Sequence, residues 1–239
     1  MTPNRLRGVL ESGQPALNAW CAMASSHAAE ILAHLDFDSI TIDLQHGAMD
    51  GADAFRMLQA IHGAEGIITP MINNADEAAR LVGACRYPPL GYRSFGPTRA
   101  ALATGARSNS EYAAHANAHV LVFAMIETQA GLDNLDAIQS VEGLDGSYVG
   151  PGDLSMALGA TPSMRQNPGT PAADAVIEAI THCLDRTKSL AKYAAIHTDG
   201  AETARLRFEQ GFNLCTLQSD ARLLADGAKR QIALARGRT

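Results

Sequence analysis

The sequence lacks a hydrophobic run long enough to span a membrane, and it lacks any cluster of lysines and arginines. The formal net charge is −6, so the composition argues against a surface for nucleic acid or for an anionic membrane. The first fifteen residues contain no apolar core of the signal-peptide type, and we therefore expect a cytoplasmic protein. Small anionic substrates stay possible, because one metal ion or one arginine can bind them locally.

Cysteines and aromatic residues are also scarce. The four cysteines are widely spaced and form no CxxC pair, which argues against a disulfide-stapled scaffold and a cysteine-based zinc site. We expect reduced and mostly buried thiols. Aromatic residues make up 5% of the chain while hydrophobic residues make up 46%, with abundant alanine and glycine. This composition suits helices packed tightly on a parallel sheet.

Strand-like and helix-like segments alternate along the chain, which predicts parallel strands joined by helical crossovers. Strands are predicted at residues 16–23, 39–45, 66–72, 119–126, 146–150, 192–197 and 212–218. Helices are predicted at residues 27–35, 50–62, 75–86, 111–118, 129–141, 172–190, 201–210 and 222–236. No linker divides the chain, so we predict one domain over residues 1–239. Seven strands are one fewer than a closed (β/α)8 barrel requires.

Two carboxylates follow directly after predicted strands. Glu127 comes after the run HVLVFAMI, and Asp153 comes after GSYVG and a Gly-Pro-Gly turn. The carboxyl ends of adjacent parallel strands meet at one edge, so the two side chains are expected to converge there. Two carboxylates suit Mg²⁺ or Mn²⁺ with open sites for substrate oxygens. The alternative is that each residue merely caps the helix or turn behind it.

His46 lies at the same predicted edge, after the second strand. Histidine can take up and return a proton near neutral pH, so His46 is a candidate general base. The alternative is a histidine that only bonds a neighbouring loop. Asp43, three residues earlier, either orients this histidine or anchors its loop.

Other residues near these strand ends have open roles. The amides at Gly152 and Asp153 are candidates to bind a carboxylate. Trp20, the single tryptophan, either lines the mouth of the site or fills the core. Arg93 and Arg99 either steer an anionic substrate or pair with surface acids.

The motifs together resemble the HpcH/HpaI aldolases, a family of metal-dependent class II pyruvate aldolases. The likeness covers nearly the whole chain, and it is strongest at IDLQHG (42–47), PMINNADEA (70–78), RYPPLGYRSFGP (86–97), MIET (125–128) and GPGDLS (150–155). The resemblance implies a (β/α)8 barrel, assembled as a trimer of dimers that exchange the last helix at about 222–236. It also implies Glu127 and Asp153 as ligands of Mg²⁺, Mn²⁺ or Co²⁺, His46 as the base, and the Gly152 and Asp153 amides as the carboxylate site.

The reaction implied is reversible cleavage of a 4-hydroxy-2-oxo acid to pyruvate or hydroxypyruvate and an aldehyde. The metal ion would act as a Lewis acid that stabilises the enolate, while His46 removes the hydroxyl proton. Met125 stands where many members have glutamine, and Gln45 where an acidic residue is usual. These two differences suggest a branch with altered substrate preference, such as hydroxypyruvate.

One βα unit of the family pattern is missing between Glu65 and Gly66. That unit normally carries an arginine that stabilises the enolate and an aspartate that supports the histidine. The explanations are a natural deletion or a stretch absent from the printed sequence, and the edges exposed by losing a barrel strand favour the second. Two other functions stay open: a citrate-lyase-like acyl-CoA lyase, and a metal-binding oligomer with impaired catalysis.

Overall fold

The computed structural model describes residues 1–61 and 63–238, in which strands and helices alternate. The strands are β1 (Ala16–Cys21), β2 (Ser39–Ile42), β3 (Gly66–Thr69), β4 (Leu121–Ile126), β5 (Gly146–Val149), β6 (Tyr193–His197) and β7 (Leu214–Ser219). Each begins within two residues of a predicted strand. The seven predicted strands are therefore confirmed.

The helices form the crossovers between the strands and flank the two chain ends. They are α1 (Arg5–Glu11), α2 (Ser26–Ala33), α3 (Gly51–Ala60), α4 (Ala75–Cys85), α5 (Thr98–Ala103), α6 (Asn109–His119), α7 (Gln129–Asp133), α8 (Leu135–Gln139), α9 (Pro151–Ala157), α10 (Pro171–Ser189), α11 (Ala201–Gln210) and α12 (Asp220–Ala235). Side-chain caps fix several helix starts. Asp50 and Asp53 form a reciprocal capping box on α3, and the Asn74 side chain accepts the Glu77 N–H on α4.

The strands form one parallel sheet in the order β2-β1-β7-β6-β5-β4-β3. The first and last strands of the chain pair with each other, Ala16 facing Leu214, so the sheet curls into a half-barrel of the TIM type. Strands β2 and β3 are its edges, and in the described residues they do not pair with each other. The expected α/β class is thus confirmed, and the described residues form a curled parallel sheet of seven strands that is consistent with a TIM-like barrel. The open edge lies between the strands that flank the expected missing unit.

The core has an outer and an inner layer. The outer layer packs the sheet against the helices, with Val122, Ile126 and Ile196 among its fully buried members. The inner layer fills the curl of the sheet, and helix α1 contributes Leu10 to it. All residues of β4 and β5 are buried, as expected for central parallel strands covered on both faces.

Two features of the helices differ from the sequence expectations. Helices α1, α5 and α9 were not predicted; all three are short, and α1 and α5 each bury a single residue, Leu10 and Ala101 respectively. The predicted helix at 129–141 is two helices, because the Asn134 side chain bonds the Asn73 carbonyl at the point where α7 ends. The predicted end of the helix at His62 lies outside the described residues.

The four cysteines are free thiols, and three of them are fully buried. Burial raises the pKa of Cys21, Cys183 and Cys215 to about 12, so these thiols stay protonated and unreactive. Within residues 1–61 and 63–238, no helix combines the length and the apolar character that crossing a membrane requires.

Candidate active site

Glu127 follows the buried end of β4 and is only 2% exposed. Its Oε1 accepts the N–H of Met71, at 2.8 Å, from the loop after β3. Gly150, which follows β5, lies against its other oxygen: a Cβ at this position would be 2.5 Å from Oε2. Glycine is therefore required here to bring the end of β5 next to the carboxylate.

Asp153 is exposed and lies in the first turn of α9, directly after β5. The helix start at Gly150 has no side-chain cap, and the cap of the helix after β4 is Thr128 rather than Glu127. The two carboxylates therefore do not have the capping roles that were the alternative to a metal site. They lie beyond adjacent strands, because β4 pairs with β5 along their whole shared length.

The charges of Asp153 and His46 both influence the Glu127 carboxylate. Burial raises the pKa of Glu127, the hydrogen bond from Met71 opposes this, and the negative charge of Asp153 raises it further. The charge of His46 has the smallest influence and lowers that pKa. Among the described residues, no lysine or arginine forms an ion pair with Glu127 or Asp153. A buried carboxylate beside a second one, with no cation paired to either, is a donor set that fits a hard divalent metal ion.

The set of ligands is small. In the part of the chain that the structure describes, no three histidine, cysteine, aspartate or glutamate side chains are grouped to hold a metal ion. A metal ion at Glu127 and Asp153 would therefore have two protein ligands, and its other positions would be open to water or substrate oxygens.

His46 lies in the loop after β2, and its side chain is exposed. Asp43 is buried and anchors this loop: its Oδ1 accepts the N–H groups of Gln45 and His46, at 2.9 and 3.0 Å. Its Oδ2 accepts the indole N–H of Trp20 at 2.9 Å. Gly47 has to be glycine, because a Cβ there would overlap the Asp43 carbonyl oxygen. Asp43 thus contacts the backbone of the histidine loop.

The remaining predicted residues lie around this edge. Met125 is buried in the inner core layer two residues before Glu127, whereas Gln45 is exposed in the histidine loop. Gly152 is half-buried, and a Cβ there would be 3.1 Å from the Met164 Cε. Trp20 is half-buried against the inner layer, so it both packs in the core and reaches the site through Asp43.

Arg93 and Arg99 lie elsewhere. The Arg93 guanidinium is 4.7 Å from the centre of the Tyr87 ring, and Arg99 donates to the Leu58 carbonyl. Both line a cavity of about 360 Å³ beside the amino end of β3, together with Gly66. Neither arginine forms an ion pair among the described residues.

Two inward-facing residues near the site were not singled out from the sequence. The Tyr148 hydroxyl on β5 lies 3.1 Å from Nδ1 of His197, at the end of β6. Both rings contact Trp20, with ring centroids 5.9 and 5.0 Å away. His197 ends a strand just as His46 nearly does, so the same strand-end argument could have found it.

Similarity to known proteins agrees with this geometry. The sequence model of the HpcH/HpaI aldolase/citrate lyase family matches residues 53–226. The chain is 36% identical to a hydroxypyruvate/pyruvate aldolase of Rhizorhabdus wittichii, covering 98% of this chain and 99% of that protein. It is 32% identical to a 4-hydroxy-2-oxo-heptane-1,7-dioate aldolase of Salmonella arizonae, covering 95% and 92%.

A solved structure of the same family has a similar fold. The crystal structure of an HpcH/HpaI aldolase/citrate lyase family protein from Burkholderia cenocepacia superposes with a TM-score of 0.84 and 26% identity, covering 97% of this chain and 98% of the other. The relatives and the solved structure match nearly the whole chain, and the family model matches most of it. The chain is therefore a lyase that belongs to the HpcH/HpaI aldolase/citrate lyase family.

Proposed function

We propose that the protein is a divalent-metal-dependent aldolase that cleaves 4-hydroxy-2-oxo acids to pyruvate or hydroxypyruvate and an aldehyde, and that catalyses the reverse addition. The observation that carries this proposal is the buried Glu127 carboxylate beside Asp153 without a cation, at the edge where the His46 loop also ends. The names of the relatives support the reaction class.

Glu127 and Asp153 are the proposed ligands of the metal ion. A bound Mg²⁺, Mn²⁺ or Co²⁺ would supply positive charge that stabilises the negative charge developing on the oxo-acid oxygens. The hydrogen bond from Met71 occupies one Glu127 oxygen and fixes the carboxylate, so the other oxygen is oriented before any ligand arrives.

His46 is the proposed general base. During cleavage it takes the proton of the 4-hydroxyl group, C4 becomes the aldehyde carbonyl, and the electrons of the C3–C4 bond remain on the oxo-acid fragment. That fragment becomes pyruvate or hydroxypyruvate when C3 is protonated. The role of Asp43 in this scheme is to hold the histidine loop, through its bonds to the backbone at Gln45 and His46.

The oxo-acid carboxylate is proposed to bind the backbone amides of Gly152 and Asp153 in the first turn of α9. Gly152 presents no side chain over these amides, and Asp153 would act through both its amide and its carboxylate. Trp20, Met125 and Gln45 are the proposed walls of the substrate site.

We further propose that the fold is a (β/α)8 barrel that lacks one βα unit between β2 and β3. The alignment with the R. wittichii aldolase spans 257 positions against 239 residues here, so at least 18 positions have no counterpart in this chain. The open edge of the sheet between β2 and β3 supports this location. An intact mass near 25.2 kDa for the natural protein would show a true deletion, and an excess of a few kilodaltons would show omitted residues.

The proposed assembly is a cytoplasmic trimer of dimers in which α12 is exchanged. In α12 only Asp220 is buried, whereas Leu224, Ile232 and Leu234 are at least half exposed, at 64%, 51% and 59%. An apolar helix face this exposed supports packing against another subunit. Light scattering of the purified protein gives the number of subunits.

A retro-aldol assay tests the proposed reaction. Release of pyruvate from a 4-hydroxy-2-oxo acid is coupled to a dehydrogenase, after EDTA treatment and after adding back Mg²⁺, Mn²⁺ or Co²⁺. We expect activity only with metal, and none in the Glu127→Ala/Asp153→Ala double variant. Full activity of the metal-free protein would contradict the proposal. Turnover of an acyl-CoA thioester instead of the oxo acid would favour the citrate-lyase-like alternative.

A further inference from the structure

The interior of the curled sheet is polar next to the candidate site. The Thr216 hydroxyl oxygen accepts hydrogen bonds from the Tyr148 hydroxyl, at 2.6 Å, and from the Asn18 side-chain amide, at 2.8 Å. The Asn18 carbonyl oxygen in turn accepts the hydroxyls of Ser39 and Thr41. Asn18, Tyr148 and Thr216 are almost completely buried, so the two bonds to the Thr216 hydroxyl are protected from water, whereas Ser39 and Thr41 are half-buried.

The network assigns the proton on His197. With the Tyr148 hydroxyl proton donated to Thr216, the Tyr148 oxygen is placed to accept a hydrogen bond from Nδ1 of His197, 3.1 Å away. This hydrogen-bond assignment corresponds to the tautomer with the proton on Nδ1 and a free lone pair on Nε2. Burial lowers the pKa of His197 to about 4, with the charge of Asp43 partly opposing this, so the imidazole is neutral at pH 7.

His197 is also the accessible member of this group. Tyr148 is 0% exposed, whereas His197 is half-buried, and Nε2 has no hydrogen-bond partner among the described residues. The imidazole stands edge-on to the Trp20 ring at 5.0 Å. A rigidly oriented, neutral acceptor without a partner is therefore available on the inner side of the sheet.

This acceptor lies close to the candidate site. Trp20, which it contacts, bonds Asp43 in the histidine loop. Tyr148 pairs in the sheet with Met125, two residues before Glu127. Burial raises the pKa of Tyr148, and the negative charges of Glu127 and Asp43 add smaller contributions in the same direction.

We propose that His197 determines which oxo acid the enzyme uses, by accepting a hydrogen bond at Nε2 from the C3 hydroxyl of hydroxypyruvate. Tyr148 is a positioning residue that fixes the tautomer. The inference rests on the proposed function, because it concerns the oxo acid of the same reaction. In pyruvate C3 is a methyl group without a hydroxyl, so the lone pair of Nε2 would have no hydrogen-bond donor. A site built for a hydroxyl disfavours the analogue that lacks it, so hydroxypyruvate should be preferred by about 10- to 100-fold.

The test measures binding of each oxo acid to the full chain in Mg²⁺ by isothermal titration calorimetry. We expect His197→Leu to remove the preference for hydroxypyruvate while changing the Kd for pyruvate by less than about 3-fold. His197→Gln keeps an acceptor oxygen and should retain part of the preference. Leucine at the exposed His182 is the matched control and should change neither Kd.

Tyr148→Phe tests the positioning role. It should lower the preference, and the ¹⁵N spectrum of the His197 imidazole should change from one tautomer to a mixture. A merely structural tyrosine would leave the tautomer unchanged. This variant also decides the matter if His197→Leu fails to fold.

The outcomes separate this inference from the proposed function. If His197→Leu keeps the wild-type preference, or if the wild type shows none, the inference is wrong even when the aldolase assay succeeds. If the preference depends on His197 but no oxo acid is cleaved, the inference stands and the proposed reaction fails. A wild-type protein that binds neither acid contradicts both.

Discussion

The indole N–H of Trp20 donates a 2.9 Å hydrogen bond to Oδ2 of Asp43, which ties the first strand to the loop that carries the candidate base. The other oxygen of the same carboxylate accepts the backbone N–H groups of Gln45 and His46. One buried carboxylate thus fixes both the loop and the indole. Its position explains why an aspartate is needed here even though it does not contact the imidazole of His46.

Asp43→Asn should therefore slow turnover without removing the metal site. The amide group cannot accept from both Trp20 and the loop, so the His46 backbone loses part of its anchor. We expect kcat to fall about 10- to 100-fold, as is usual when a catalytic group is misplaced by a fraction of an ångström, with metal affinity changed less than about 2-fold. The fluorescence of Trp20, the single tryptophan, should shift at the same time.

Asp36→Asn is the matched control, because Asp36 is exposed and its ion pair is with Arg5 rather than with the histidine loop. It should leave kcat and fluorescence unchanged. A fluorescence shift in Asp43→Asn with wild-type turnover would mean that the anchor has no role in positioning the base.

Glu127→Gln should weaken metal binding and yet stabilise the metal-free protein. The pKa of Glu127 is raised on folding, so ionisation of this carboxyl opposes folding; the penalty is complete above the folded-state pKa and absent below the unfolded-state pKa. Glutamine keeps the acceptor for Met71 and removes the charge beside Asp153. We expect a gain of about 0.5–2 kcal/mol in the free energy of unfolding without metal.

The affinity for Mn²⁺ should fall at least about 10-fold, because even loss of a residue that only supports a ligand commonly costs that much. Calorimetry with Mn²⁺ and thermal unfolding with and without the metal measure the two effects. Glu142→Gln, in an exposed loop, should show neither. A Glu127→Gln protein with unchanged Mn²⁺ affinity would show that this carboxylate is not a ligand.

The sequence predicted the strands better than the helices. Continuous apolar runs bounded by polar residues locate β4 and β5 in the sequence, because both strands are buried on two faces. The break between α7 and α8 could not be predicted, since it depends on the Asn134 side chain reaching the Asn73 carbonyl, 61 positions away in the chain. Tertiary contacts of this kind leave no local pattern in the sequence.

The candidate site shows the same division. Glu127, Asp153 and His46 were found because each follows a strand, and strand ends of a parallel sheet share one edge. The anchoring contacts of Asp43 were one of two open alternatives, and only the folded geometry distinguishes them. Tyr148 lies within β5, where only the alternation of inward and outward residues indicates its direction, whereas the position of His197 at the end of β6 is the signal that could have found it.

His197 should make the stability of the protein depend on pH in a defined window. Burial lowers its pKa in the folded state to about 4, below the ordinary value of 6.5, so the unfolded chain binds a proton more readily and stability falls as the pH drops from about 6.5 towards 4. At pH 5 this group alone should cost about 2 kcal/mol relative to pH 7. The groups that face it are Trp20, Tyr148 and, through its charge, Asp43.

Urea unfolding of the wild type and of His197→Gln at pH 7 and pH 5 measures this contribution as a difference between the two proteins. The variant should lose less stability on acidification, by about 2 kcal/mol. His182→Gln, on the exposed face of α10, should behave as the wild type does. Equal losses in all three proteins would contradict a buried, neutral His197.

Gly146→Ala should be the most destabilising of these changes. Gly146 begins β5 and pairs with Tyr193, and a Cβ there would overlap the Tyr193 carbonyl oxygen and lie 2.8 Å from the Phe123 ring. The strand backbones cannot separate without breaking ladder hydrogen bonds, so we expect the free energy of unfolding to fall by about 3 kcal/mol or more, with a drop of roughly 6 °C or more in Tm.

Gly8→Ala is the matched control, in the exposed middle of α1, where an added Cβ meets nothing within 4 Å. It should instead raise the free energy of unfolding by about 0.5–1 kcal/mol. Thermal unfolding of both variants checks the opposite signs, and a neutral Gly146→Ala would mean that β5 and β6 are not packed as closely as the structure has them.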